Sequence, residues 1–390
     1  MTFSWEPTSD SSGGSCPICG PDGAGSFPSG PGGQGCPACG RGRLDATSRT
    51  RAGFTAEELV RVVSHYDLGL VHQVRVFARG SRKSPKILLA AERGRYLLKR
   101  RAPGRSDPRE VAFCHGVQLH LVARGFPAPP LLGTRPDANS MLELDGSVYE
   151  MQGFLDGDRY DATVEQTRDA GRALGRFHRL IRAYVPQYLP TRGAYRASGR
   201  PPPVLEILET RLIATDPELR GREPEAVKLC RSLRDAYGRA ATELTALDLN
   251  GLEPLIVHGD YHPGNLLFRG PRAAGVLDFD TARPAPAVTD VANGALQFSF
   301  TVAAGPPEQW PAALDADRLR AFLIGYRSER EVAAREAAMI APLMVQALIV
   351  ESAQKIAPTG RCGPHRGISF LRMVSDRVAW MASRVAALAG

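Results

Sequence analysis

Apolar positions change their period along this chain, and the change separates two kinds of structure. Leu59, Val62 and Val63 fall on one helical face behind Thr55-Ala56-Glu57-Glu58, whose hydroxyl and early carboxylates suit a helix start. Over 71–77, 86–91 and 95–100 the residues turn strand-like, with turn signals at Gly80-Ser81 and Arg93-Gly94, so three consecutive antiparallel strands are expected. A helix is expected over 108–124, stopped by Gly125, then two strands near 131–135 and 147–151. Beyond Gly153 the helical period dominates, at 164–183, 204–214, 224–247, 316–326, 331–355 and 366–388. Only short β-like stretches near 255–257, 266–268 and 275–278 interrupt it. Strands first and helices later predict an α+β protein with two lobes, 54–152 and 153–390.

Residues 1–50 stand apart. They are rich in Gly, Ser and Pro and hold too few large apolar residues for a core. Their one chemical feature is two Cys-Pro-x-Cys-Gly pairs, Cys16 with Cys19 and Cys36 with Cys39. Pro starts a tight turn, Gly lets backbone amides face thiolate sulfur, and the sixteen-residue separation suits a four-cysteine Zn²⁺ site. The pairs resemble zinc-ribbon knuckles.

Composition adds limits. At 390 residues, 43% hydrophobic and 23% charged, the chain can build two lobes and is not a disordered scaffold. The start lacks a basic, apolar leader, and no run of about eighteen apolar residues is evident, so a soluble cytoplasmic protein with no membrane partner is expected. The formal charge of +8 comes from 49 basic residues of which five are lysines. The arginines are dispersed, which argues against a nucleic-acid face.

Chemistry concentrates in His258-Gly259-Asp260-Tyr261-His262-Pro263-Gly264-Asn265, followed by Gly275-Val276-Leu277-Asp278-Phe279-Asp280. Phosphoryl transfer needs a carboxylate to orient the attacking hydroxyl and oxygen ligands to hold Mg²⁺ against phosphates. Asp260, Asn265 and Asp278 supply that set, with Pro263-Gly264 tightening the turn between the first two. The Asp-x4-Asn spacing also matches a protein-kinase catalytic loop.

The two stretches resemble the aminoglycoside phosphotransferase, choline kinase and homoserine kinase-like group, whose motif runs His-Gly-Asp-x-His-x-x-Asn and later Asp-Phe or Asp-Trp. The likeness spans about 55–385. It implies a protein-kinase-like fold with a small antiparallel-sheet lobe and a larger helical lobe. It also implies ATP- and Mg²⁺-dependent transfer to a small-molecule hydroxyl: an amino alcohol, amino acid, sugar or antibiotic. Asp260 would be the base, Asn265 and Asp278 the Mg²⁺ ligands, and Asp280 a second-metal or supporting group.

On the ATP side, Lys99 in Tyr96-Leu97-Leu98-Lys99 resembles the family's phosphate-contacting strand lysine, with Lys86 as competitor and Glu110 on the first long helix as its partner. The Gly80-Ser81 turn would fold over phosphates, and adenine is expected beside Glu150 and Met151. Asp290 would cap the helix that follows it. Two rival readings are a non-catalytic nucleotide-binding module that recruits a protein partner through the cysteine segment, and a zinc-dependent nucleic-acid protein. The intact Asp, Asn and metal Asp weigh against the first; the second predicts steeply salt-dependent binding.

Overall fold

The computed structural model describes residues 52–77, 83–188 and 202–389. The four cysteines of the expected zinc site and the Gly80-Ser81 turn lie outside the described residues. The described residues form two compact units, one comprising those up to Asp158, 183–188 and Ala274–Thr281, the other Arg159–Arg182, 202–273 and 282–389.

The first, or sheet unit, opens with α1 (Ala56–Val63), started by a capping box in which Thr55 and Glu58 exchange side-chain-to-backbone bonds. Strands β1 (Val71–Val76), β2 (Lys86–Ala91) and β3 (Gly94–Arg100) are antiparallel. Helix α2 (Pro108–Val122) follows, capped by Asp107, then β4 (Leu142–Leu144) and β5 (Ser147–Gly153). The sheet order is β1-β2-β3-β5-β4. Its fifth strand is β4, not the expected 131–135, where only Leu131 makes a bridge, to Gln152. Thr134 N–H is turned into a local loop onto the Asn139 carbonyl at 2.9 Å, and Pro136 has no N–H to give a ladder.

Strand register sorts the two faces of this sheet. Ile87, Leu98 and Met151 are direct partners across β2, β3 and β5 and belong to the hydrophobic core with Val62, Tyr66 and Leu89. The next row, Lys86, Lys99 and Glu150, is in register too, and alternation puts it on the opposite face.

The second, helical unit contains α3 (Val164–Ile181), α4 (Pro203–Thr215), α5 (Glu223–Ala246), β6 (Leu255–Val257) and β7 (Leu266–Arg269). In sequence β8 (Arg272–Val276) crosses the unit boundary, followed by β9 (Arg283–Ala285), which pairs with β6, then α6 (Val288–Ser299), α7 (Ala316–Arg327) and α8 (Ala334–Ile356). The hairpin β10 (Arg361–Cys362) and β11 (His365–Arg366) leads into α9 (Gly367–Ala389). Helices α3 and α7 touch backbone to backbone: a Cβ at Gly171 would lie 1.9 Å from the Phe322 carbonyl oxygen, and one at Gly325 1.8 Å from that of Arg168. By length and composition α8 could cross a membrane, but 72% of its apolar window is buried, as in a core helix.

Candidate functional site

The helical unit shapes the loop that follows β6. Asp290, in the first turn of α6, accepts the His258 N–H at 2.6 Å and the Gly259 N–H at 2.9 Å. It is not the expected cap: Ala287 is the N-cap, and Asp290 reaches across to the loop instead. Gly259 at φ +77° makes the turn that brings two successive N–H groups onto one carboxylate. Two anchors fix the middle of the loop, Tyr261 donating from its hydroxyl to the Ala170 carbonyl at 2.7 Å and Asn265 from Nδ2 to the Asp260 carbonyl at 2.9 Å. His258 and Tyr261 are fully buried, whereas the side chain of Asp260 between them is 50% exposed.

Asp260 is therefore presented, not packed. Burial raises its carboxyl, but the hydrogen bond and charge of His262, helped by His258 and Asn265, outweigh that and hold it below the ordinary carboxylate value. His262 Nδ1 accepts the Gly264 N–H at 3.0 Å, and its Nε2 lies 3.6 Å from Asp260 Oδ2. Asn265 uses its amide nitrogen on Asp260, at 2.9 and 3.3 Å, so its Oδ1, an acceptor, takes no part in either bond.

Behind the loop runs a buried chain of one polarity. Arg330 donates to the Tyr326 hydroxyl at 2.9 Å, Tyr326 is 2.8 Å from His178 Nδ1, and His178 Nε2 is 3.3 Å from Asp290. Burial lowers the His178 pKa, and the neutral ring with its proton on Nε2 satisfies every link. His178 is thus a packed residue that fixes Asp290. Sequence reasoning missed Glu351 on α8, although it is the lone carboxylate in the apolar run after Glu336. It accepts from Gln297 at 2.9 Å, and burial raises its carboxyl, opposed by Lys355 and Gln297, with repulsion from Asp260 adding to the rise.

In the sheet unit, Lys99 is 6% exposed and lies 2.6 Å from Asp280, 3.1 Å from Glu150 and 3.9 Å from Asp278. Those carboxylates hold it, not Glu110, which stands in the first turn of α2. The α2 residue that reaches the cluster is His115, whose Nε2 is 3.0 Å from Glu150. Arg101, one residue past β3, bridges Glu150 and Asp280, the latter at 3.0 Å. Burial opposes the charges of Glu150 and Asp280, yet their two cations win and both carboxyls are held below the ordinary value.

Adenine was expected beside Glu150 and Met151. Both are inside β5, Glu150 turned into the ion cluster and Met151 into the core, with the Met151 carbonyl accepting from Leu132 at 2.8 Å. The strand runs on to Gly153, so its end comes later than the sequence suggested. Asp278 differs from its neighbour Asp280: it has φ +63° and is 37% exposed, whereas Asp280 is engaged by Lys99 and Arg101. A left-handed non-glycine residue beside a charged cluster is a strained position of the kind found at functional sites.

Residues 73–332, more than half of the chain, match the phosphotransferase enzyme family. The chain belongs to that family. A homoserine kinase of Sinorhizobium medicae is 26% identical over 287 residues, covering 73% of this chain and 78% of that protein. The fold is shared with a microcompartment-associated aminopropanol kinase (TM-score 0.60, 16% identity, 85% of this chain and 99% of the other). It is also shared with an aminoglycoside phosphotransferase of Alicyclobacillus acidocaldarius (TM-score 0.57, 18% identity, 89% and 98%). The protein is an ATP-dependent small-molecule phosphotransferase with a protein-kinase-like fold and an alcohol group as acceptor.

Family membership implies ATP and Mg²⁺. Asn265 Oδ1 in the helical unit and the Asp278 carboxylate in the sheet unit, 37% exposed, are each an oxygen ligand of the kind a hard divalent ion takes. Among the described residues no group of three or more His, Cys, Asp or Glu side chains is arranged for a metal such as zinc.

Proposed function

We propose that this phosphotransferase acts on a small amino acid or amino alcohol, with Asp260 orienting the acceptor hydroxyl and Asn265 and Asp278 holding Mg²⁺. One observation carries the assignment of Asp260: a carboxylate kept ionised and half-exposed on a loop whose backbone is clamped by Asp290. An ionised group with a lowered pKa is a weak base, so its work is to align the hydroxyl and take the proton late, as the phosphoryl group leaves ADP. The ion supplies charge neutralisation of the phosphates when bound.

An amine on the acceptor is supported by Glu351, a carboxyl on α8 that feels the charge of Asp260 and has only a neutral amide as its hydrogen-bond partner at 2.9 Å. An ammonium group there would oppose what raises it, burial first and repulsion from Asp260 second, adding to the charge of Lys355. The homoserine kinase relatives agree with an acceptor of this size and charge. ADP formation measured across matched alcohols with and without an amine tests the reading. Turnover confined to amine-bearing alcohols is expected; equal turnover of the neutral analogues would remove the amine from the proposal.

The Cys16, Cys19, Cys36 and Cys39 quartet is proposed to hold one structural Zn²⁺, on spacing alone. Metal content of the purified full chain should read one zinc per chain, falling to none in a Cys16→Ser/Cys19→Ser variant.

A further inference from the structure

Helix α6 meets its polar neighbours along one stripe. Asp290, Asn293 and Gln297 stand at i, i+3 and i+7, so their side chains leave the same face. Asp290 clamps the start of the Asp260 loop, and Asn293 Nδ2 lies 3.5 Å from the carbonyl of Tyr261, the residue after Asp260. Gln297 donates from Nε2 to Glu351 at 2.9 Å. The carboxylate that aligns the acceptor hydroxyl and the one that receives its amine are thus both tied to a single helix, over about two turns, or about 10 Å of its axis.

The far end of the same helix is held by two arginines. Past its last residue, Ser299, Arg318 on α7 donates to the Phe300 carbonyl at 3.4 Å. Arg377 on α9 donates to the Thr301 carbonyl and, at 3.1 and 3.2 Å, to that of Pro311. The Asp315 N–H closes the connection between α6 and α7 on the Ser299 carbonyl at 2.9 Å. Arg377 is 0% exposed, its guanidinium lies 3.8 Å from the Phe300 ring centre, and burial lowers its pKa to about 10 with no neighbouring charge opposing the shift. A buried cation without an anion is unfavourable in most places, but the C-terminal end of a helix, where carbonyls carry partial negative charge, suits one. Arg377 thereby fixes where α6 ends, as Asp290 fixes where it begins.

We propose that α6 is a caliper: it sets the separation of Asp260 from Glu351 and so selects acceptors by the distance between their hydroxyl and their amine, with Gln297 and Arg377 as positioning residues. The proposal rests on the reading of Asp260 and Glu351 as the two carboxylates that meet the acceptor. A helix is a stiff spacer, because each of its turns is closed by backbone hydrogen bonds. An acceptor that is a methylene too short or too long cannot place both of its polar ends, and leaves one carboxylate without its partner.

ADP formation by the full chain with MgATP tests this against amino alcohols and ω-hydroxy α-amino acids lengthened one methylene at a time, beside the same alcohols without the amine. In the parent, kcat/KM should peak at one length and fall about tenfold for a methylene added or removed. Gln297→Met keeps the length of the side chain but cannot donate to Glu351, and should flatten that profile. Arg377→Lys has a single ammonium that cannot span the Thr301 and Pro311 carbonyls as the guanidinium does, and should broaden it. A general loss of fold would instead lower every length alike and leave the optimum in place. A flat length profile in the parent with the neutral alcohols inert overturns the caliper and leaves the amine reading intact, as does a parent-like optimum in both variants. Equal turnover of the neutral alcohols, or turnover of no member of either series, overturns both.

Discussion

The two polar centres are held still by opposite means. In the sheet unit charge is set against charge, through contacts that join residues 49 positions apart, as in Arg101 with Glu150, or 181 apart, as in Lys99 with Asp280. In the helical unit the Asp260 loop is held through its backbone, by one carboxylate 31 and 32 positions away that takes two N–H groups. The ion cluster sets two cations against two carboxylates. The clamped loop instead frees the side chain it carries, because no bond that fixes its conformation uses the far oxygen of Asp260.

If that contrast is right, support and chemistry are separable in the helical unit, and the largest effect tests the support. Asp290→Ala leaves the buried His258 N–H, the part-buried Gly259 N–H and the His178 Nε2–H without an acceptor, and should cost about 3 kcal/mol or more in denaturant unfolding. A loss within about 0.5 kcal/mol, the size of an ordinary surface change, would mean that the clamp holds nothing. Asp260→Asn is the converse. Transfer should fall about a hundredfold, near 2.7 kcal/mol in the barrier, while unfolding moves by less than about 0.5 kcal/mol, since the side chain is half-exposed. Parent-like turnover of Asp260→Asn would remove Asp260 from the reaction.

How much of this could be read from residue order follows the same division. The stretch from His258 to Asn265 is legible because its own contacts close within seven residues, from Asp260 N–H on His258 to Asn265 on Asp260. Lys99 is legible as a strand lysine. Its partner is not, since only register across β3 and β5 places Glu150 beside it, and the helix rule favoured Glu110 instead. A helix is expected only beyond Asp290, whereas α6 already starts at Val288, ahead of the poor helix formers Thr289, Asp290, Asn293 and Gly294. Tertiary packing explains Gly294: a Cβ there would lie 2.3 Å from the Phe322 ring. Arg101, His115 and Glu351 gain meaning only from neighbours far along the chain.

The smallest expected effect is a difference in pH response between the units. His178 is buried and its pKa lies below the ordinary 6.5, so the folded ring stays neutral while the unfolded ring takes a proton as pH drops. Its share of stability is complete above about pH 6.5 and declines below it, by at most about 1.4 kcal/mol per pH unit for one group. Asp290 is displaced the other way for an acid: burial raises it, but the hydrogen bonds from His178 and the Gly259 N–H help to outweigh burial. Its contribution is present above about pH 3.9 and is lost only as pH falls through its lower folded value. In the sheet unit, Glu150 and Asp280 sit below the ordinary carboxylate value and Lys99 above the ordinary lysine value, so these three keep their charges from pH 7 to 5. Amide exchange, corrected for its intrinsic pH dependence, should therefore show protection of α3 and α6 weakening over that window more than protection of β3 and β5. In His178→Gln the α6 trend should flatten, because the amide can still donate to Asp290 but cannot be protonated. Equal weakening in parent and variant would assign the drift to another group and leave the His178 chain as passive packing.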